Sequence, residues 1–126
     1  MRGCCAIAAS RALPEERRSL LAAAERDARR TEREGAQWGM PLAALLRAGV
    51  AIARPDAAAA ARHLREALTG FERGQMQLFS AATRRRLGEL VGGDEGRELV
   101  VQASAWMTAR RIKDPDRMTA MLVPGF

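Results

Sequence analysis

The chain has 126 residues, which is the size of one ordinary domain and excludes a large multidomain enzyme. Its 48% hydrophobic and 29% charged residues make it globular rather than disordered. The net charge of +6 keeps nucleic-acid binding in view, while a single histidine, no tyrosine and 4% aromatics leave little for catalysis by constellation.

The order of the chain reads as helix after helix, separated by Pro and Gly. Arg2 to Ala12 is densely apolar but unpatterned, and Pro14 ends it. Pro14 and the acids Glu15 and Glu16 suit the first turn of a second helix, with Leu20, Leu21, Ala24 and Ala28 as its apolar stripe and Gly35 as its stop. A third helix runs from near Pro41 to before Pro55, carrying Leu42, Leu45, Leu46, Gly49 and Ala53. Asp56 is placed to cap a fourth, with Ala60, Leu64, Ala67, Leu68 and Phe71 on one face.

A fifth helix, Gln75 to Val91, puts Met76, Phe79, Ala82, Leu87, Leu90 and Val91 on one arc and ends in Gly92-Gly93. Asp94 can cap a sixth, in which Leu99, Ala103, Trp106 and Met107 align. Asp114-Pro115 reads as N-cap and first residue of a short terminal helix with Met118, Met121 and Leu122 inward and Trp106 buried against it. No segment alternates with period two, so the expected fold is all-α. Connections this short require antiparallel neighbours: hairpins over roughly 1–35, 41–74 and 75–111, then a C-terminal helix over 114–122.

The stretch GVAIARPDAAAAARHLREAL resembles a tetratricopeptide (TPR) repeat, with Ala48-Gly49 as the small pair, Asp56 at the turn, Ala60 at the close helix contact and Leu64 and Ala67 below it. It departs from the pattern at Ala51, where a large aromatic is usual, and the next repeat has its turn displaced to Gly92-Gly93. The C-terminal third, distinctive in Gly92-Gly93-Asp94-Glu95-Gly96, Trp106-Met107 and Arg117-Met118-Thr119-Ala120-Met121, resembles the tail of large bacterial regulators in which a serine/threonine kinase or ATPase precedes an array of TPR-like helices. That resemblance extends from about Trp38 to Phe126. None of the kinase glycine-rich, catalytic or metal-binding motifs occurs, so it implies the end of an array rather than an activity.

Candidate chemistry is sparse. His63 and Glu66 are three apart and give at most two ligands, so no metal or cofactor is expected. Gly88, Gly92, Gly93 and Gly96 lack the lysine and preceding strand of a phosphate loop and read as helix C-caps. Serines 10, 19, 80 and 104 would all depend on His63 as base, so no catalytic residue is assigned. Cys4 and Cys5 are adjacent, cannot bridge each other, and are expected to pack as small apolar residues. The apolar run from Cys4 to Ala9 is shorter than a signal-peptide core and is interrupted by Arg11. No stretch approaches the roughly 20 apolar residues of a membrane span, so no membrane insertion is expected, and two cysteines that cannot pair fit a reducing cytoplasm. Arg84-Arg85-Arg86 points in three directions about 100° apart, with Arg86 falling inside the apolar arc.

The TPR resemblance implies a protein-interaction scaffold whose concave side is lined by Leu42, Leu45, Ile52, Met76, Phe79 and Arg86, suited to a peptide or helix carrying an acidic residue. An N-terminal hairpin without its preceding repeat would invite self-association. The alternative is an arginine-rich helical nucleic-acid binder. Six arginines and six acids interleave between Glu15 and Glu34, which argues against a continuous basic face.

Overall fold

A computed structural model of the chain describes residues 2–12, 14–33 and 39–124. Helices α1 (Arg2–Ala12), α2 (Arg17–Arg33), α3 (Gly39–Ala53), α4 (Ala57–Arg73), α5 (Gln77–Val91), α6 (Gly93–Ala109) and α7 (Pro115–Leu122) follow one another, with a 3₁₀ turn at Pro14–Glu16. Among the described residues there is no strand, as the absence of period-two segments predicts. The stop expected at Gly35 and the Trp38 start of the regulator-like stretch lie outside the described residues, as does the packing of the Cys4 side chain.

Local chemistry sets the helix ends. The Asp56 carboxylate accepts from the Ala59 N–H at 3.1 Å and starts α4. Asp114 does the same for the Arg117 N–H at 3.1 Å, with Pro115 in the first turn of α7, where its missing N–H costs nothing. Gly92 closes α5 with φ of 64°, a left-handed value that glycine adopts without a Cβ penalty, and its N–H bonds the Gly88 carbonyl at 3.1 Å.

Each helix packs on its neighbours in sequence, α1 also reaches α3, and α7 lies mainly on α5. This serial packing is compatible with a stack of hairpins. The interior forms two clusters. One gathers Ile7, Leu21, Ala24, Ala28, Ala43, Leu46 and Val50 from α1, α2 and α3. The other gathers Leu42, Leu45, Ala48, Leu64, Phe71, Leu87, Met107 and Val123, with Phe79 stacked on Phe71 at a centroid distance of 5.2 Å. Helix α3 contributes to both clusters from opposite sides, which is why it carries almost no polar residue.

Several expectations are corrected by packing. Gly88 and Gly96 are not caps but the crossing point of α5 and α6. A Cβ at Gly88 would fall 2.5 Å from the Gly96 carbonyl oxygen, and one at Gly96 would strike the Gly88 carbonyl in return. The buried side of α5 carries Ser80, Ala81, Ala82, Thr83, Leu87 and Gly88, while Met76, Phe79, Leu90 and Val91 are only half-buried. This helix is sandwiched by α4, α6 and α7, so small residues go where backbones approach closely. Met121 is 66% exposed, and α7 instead turns Met118, Thr119 and Leu122 inward. Trp106 is half-buried and lines a pocket with Phe71, Ser80 and Ala81 beside the α4–α5 turn; the Arg110 guanidinium sits 5.1 Å from its ring centroid. Cys5 is exposed rather than packed. Among the described residues no helix is long and apolar enough to cross a membrane.

Candidate functional site

A cleft of about 370 Å³ opens between α2, α3 and α4. Helical spacing builds its walls. Glu25 and Arg29 lie one turn apart on α2; Arg47, Val50 and Ala51 share one face of α3, with Arg54 in the turn that follows it; Ala59 and His63 lie one turn apart on α4, below the Asp56 cap. Val50 and Ala51 are buried and form the floor.

The charges in the walls are mostly matched. Arg47 grips Glu32 with both guanidinium arms, one bond measuring 2.6 Å. Hydrogen bonding from Arg47 is the main reason the Glu32 carboxyl is held below the usual glutamate range, and the same bond raises the Arg47 pKa. Arg54 donates to Glu25 at 2.8 Å, and Asp56 is occupied by the α4 N–H. Arg29, exposed at the rim, makes no ion pair or hydrogen bond among the described residues. The His63 Nδ1 is buried, stands 3.8 Å from a Glu66 carboxylate oxygen and has no hydrogen-bond partner. The cleft thus has one guanidinium, that of Arg29, with no acid paired to it, which suits an incoming anion of carboxylate size.

No protein family, curated protein or solved structure matches the chain. The site therefore has to be read from its own chemistry. Among the described residues no three His, Cys, Asp or Glu side chains gather at metal-binding distance.

The six residues expected to line a concave groove do not form one open surface. Leu42 and Leu45 are buried in the interior at 7% and 3% exposure, where an aliphatic side chain between α3 and its neighbours gains most from leaving water. Phe79 is half-buried against Phe71, and Ile52 and Met76 are half-buried. Arg86 does not stand open to a groove. Its side chain is 12% exposed, its Nε donates to the Val123 carbonyl at 3.2 Å, and its Nη1 donates to Glu89 at 3.1 Å.

Burial of its stem among apolar neighbours is acceptable because the charged head meets a carboxylate and a helix-end carbonyl. Its two neighbours diverge as helical phase predicts: Arg84 reaches Glu72 on α4 at 2.9 Å, and Arg85 reaches Asp116 on α7 as well as Glu89. Sequence spacing did not single out Arg29, Arg47 or Arg54. The local signal was the i,i+7 spacing of Arg47 on α3 and Arg54 just past its end, and their acidic partners sit 15 and 29 residues away.

Proposed function

We propose that the chain is a non-catalytic protein-interaction module of TPR-like hairpins whose partner is a peptide carrying an acidic side chain. The observation that carries this reading is the α2–α3–α4 cleft, in which every acid is already engaged and the Arg29 guanidinium is not. A carboxylate there would form a charge-assisted, two-armed hydrogen bond above an apolar floor. The likeness of the C-terminal third to bacterial kinase and ATPase regulators supports placing such a module at the end of a longer cytoplasmic array. The test is fluorescence anisotropy with glutamate-containing peptides and their glutamine counterparts. Arg29→Gln should weaken binding of the acidic peptides about tenfold, the worth of one charged hydrogen bond. Equal binding of the glutamate and glutamine peptides would end the reading.

One observation favours a second reading, nucleic-acid binding. Arg62, Arg65 and Arg73 run along one exposed face of α4 with Thr69 between them. Glu66 and Glu72 flank this stripe, and Arg65 already approaches Glu95 at 3.9 Å, which weakens its field. A gel shift with a generic duplex across a salt series separates the readings, because phosphate contacts lose affinity steeply as salt rises.

A further inference from the structure

Helix α7 follows α6 in the chain but lies chiefly on α5, and what holds it is polar at both ends and apolar between. At its start, Asp116 pairs with Arg85. Past its end, the Val123 carbonyl accepts from Arg86, and the Val123 side chain is fully buried in the cluster that holds Leu45 and Ala48 of α3. The chain then reaches α3 itself, where the Pro124 carbonyl oxygen lies 3.5 Å from the position of a Cβ on Gly49. This eight-residue helix is too short to persist alone in water, so its helicity depends on the surface it rests against.

We propose that the surface across α3 and α5, the first helices of their hairpins, is a helix-binding groove and that α7 is its built-in, displaceable occupant. The partner it fits is an amphipathic helix with the same pattern: an acid for Arg85, apolar residues two, six and seven positions later as at Met118, Leu122 and Val123, and a free carbonyl for Arg86. Charge complementarity and the seated segment itself define that chemistry. This groove lies apart from the α2–α3–α4 cleft, and acidic-peptide binding there can fail without touching it.

The experiment uses the full chain and a labelled peptide with the sequence of residues 114–126. The tethered α7 competes at an effective concentration in the millimolar range, so the peptide should bind the unaltered chain weakly. Asp116→Arg replaces the Arg85 pair by a repulsion at a side chain that is 80% exposed, which leaves the core intact. The peptide should bind this variant about fivefold more tightly than the unaltered chain. A peptide with Val123→Asp should bind neither.

Equal affinity for both chains, or for both peptides, overturns the proposal. A dimer that forms in the Asp116→Arg chain and excludes the peptide would assign the groove to a second copy and likewise overturn the partner assignment. Should circular dichroism show that Asp116→Arg fails to fold, Asp116→Asn carries the same test, with about a twofold gain as the expected result.

Discussion

The two halves of the stack are held together by different means. The N-terminal cluster is the smaller, purely aliphatic one, holding Ile7, Leu21, Leu46 and Val50 with Ala24, Ala28 and Ala43, and its surface is laced by Arg47–Glu32 and Arg54–Glu25. The C-terminal cluster holds the Phe71–Phe79 stack, Met107 and Val123, a direct backbone crossing at Gly88 and Gly96, and the two arginines that grip α7. Alanine is about equally common in the two clusters, so what separates them is the greater size of the C-terminal one and its aromatic and methionine side chains, each of which buries several times the apolar area of an alanine. The C-terminal half is therefore expected to be the more stable, and the N-terminal half to open first in hydrogen exchange.

The largest blow to this contrast comes from Phe71→Ala. Phe71 is fully buried and stacked, and its truncation should cost about 4 kcal/mol in urea denaturation and lower protection in α4, α5 and α6 together. Ile7→Ala should cost about 3 kcal/mol, with the loss of protection confined to α1, α2 and the facing side of α3. If both substitutions lowered protection uniformly along the chain, the halves would be one cooperative unit and the contrast would fail.

The glycines sharpen the same contrast. Gly88→Ala sets a Cβ against a backbone oxygen that cannot rotate away and should cost about 2 kcal/mol even after the gain in helix propensity. At Gly49 the obstructing atom, 2.7 Å away, is the terminal methyl of Ile7, which can turn aside. Gly49→Ala should therefore stay within about 1 kcal/mol, and a thermal melt of the two variants would show whether rigid backbone or flexible side chain governs the crossing.

Arg86→Met keeps the aliphatic stem but leaves the Val123 carbonyl and Glu89 without this donor. A stability loss of about 1–2 kcal/mol is expected, with faster exchange in α7 ahead of the rest of the chain. Unchanged exchange in α7 would mean that its apolar face alone secures it.

The smallest effect belongs to the N-terminal half and depends on pH. Because Arg47 holds the Glu32 carboxyl below its ordinary value, the folded state binds its proton less readily than the unfolded chain does. The stability this pair supplies is thus fully present above the usual glutamate range and is lost as pH falls through the depressed folded value. The difference in melting temperature between the unaltered chain and Arg47→Met should be small, corresponding to at most about 1 kcal/mol, and should vanish in strong acid. A difference that grew on acidification would have the wrong sign for this pair.

Amino-acid sequence alone determined the helices and most of their ends, because caps, prolines and apolar spacing act within about one turn of the chain. Asp56, Asp114-Pro115 and Gly92 stand where local chemistry places them, and the stripe Ala60, Leu64, Ala67 and Phe71 faces inward because α4 meets its partners on one side. Tertiary structure alone decided the rest. Helix α5 is approached by α4, α6 and α7, so a single predicted arc could not say that Ser80, Thr83 and Gly88 would be buried while Phe79 stayed half-open. The tilt of α7 onto α5 turned Met121 outward and supplied Arg86 with a carbonyl 37 residues away. The cleft around Arg29 exists only because three helices converge there, and whether an arginine is matched or left over depends on acids that no local spacing relates to it.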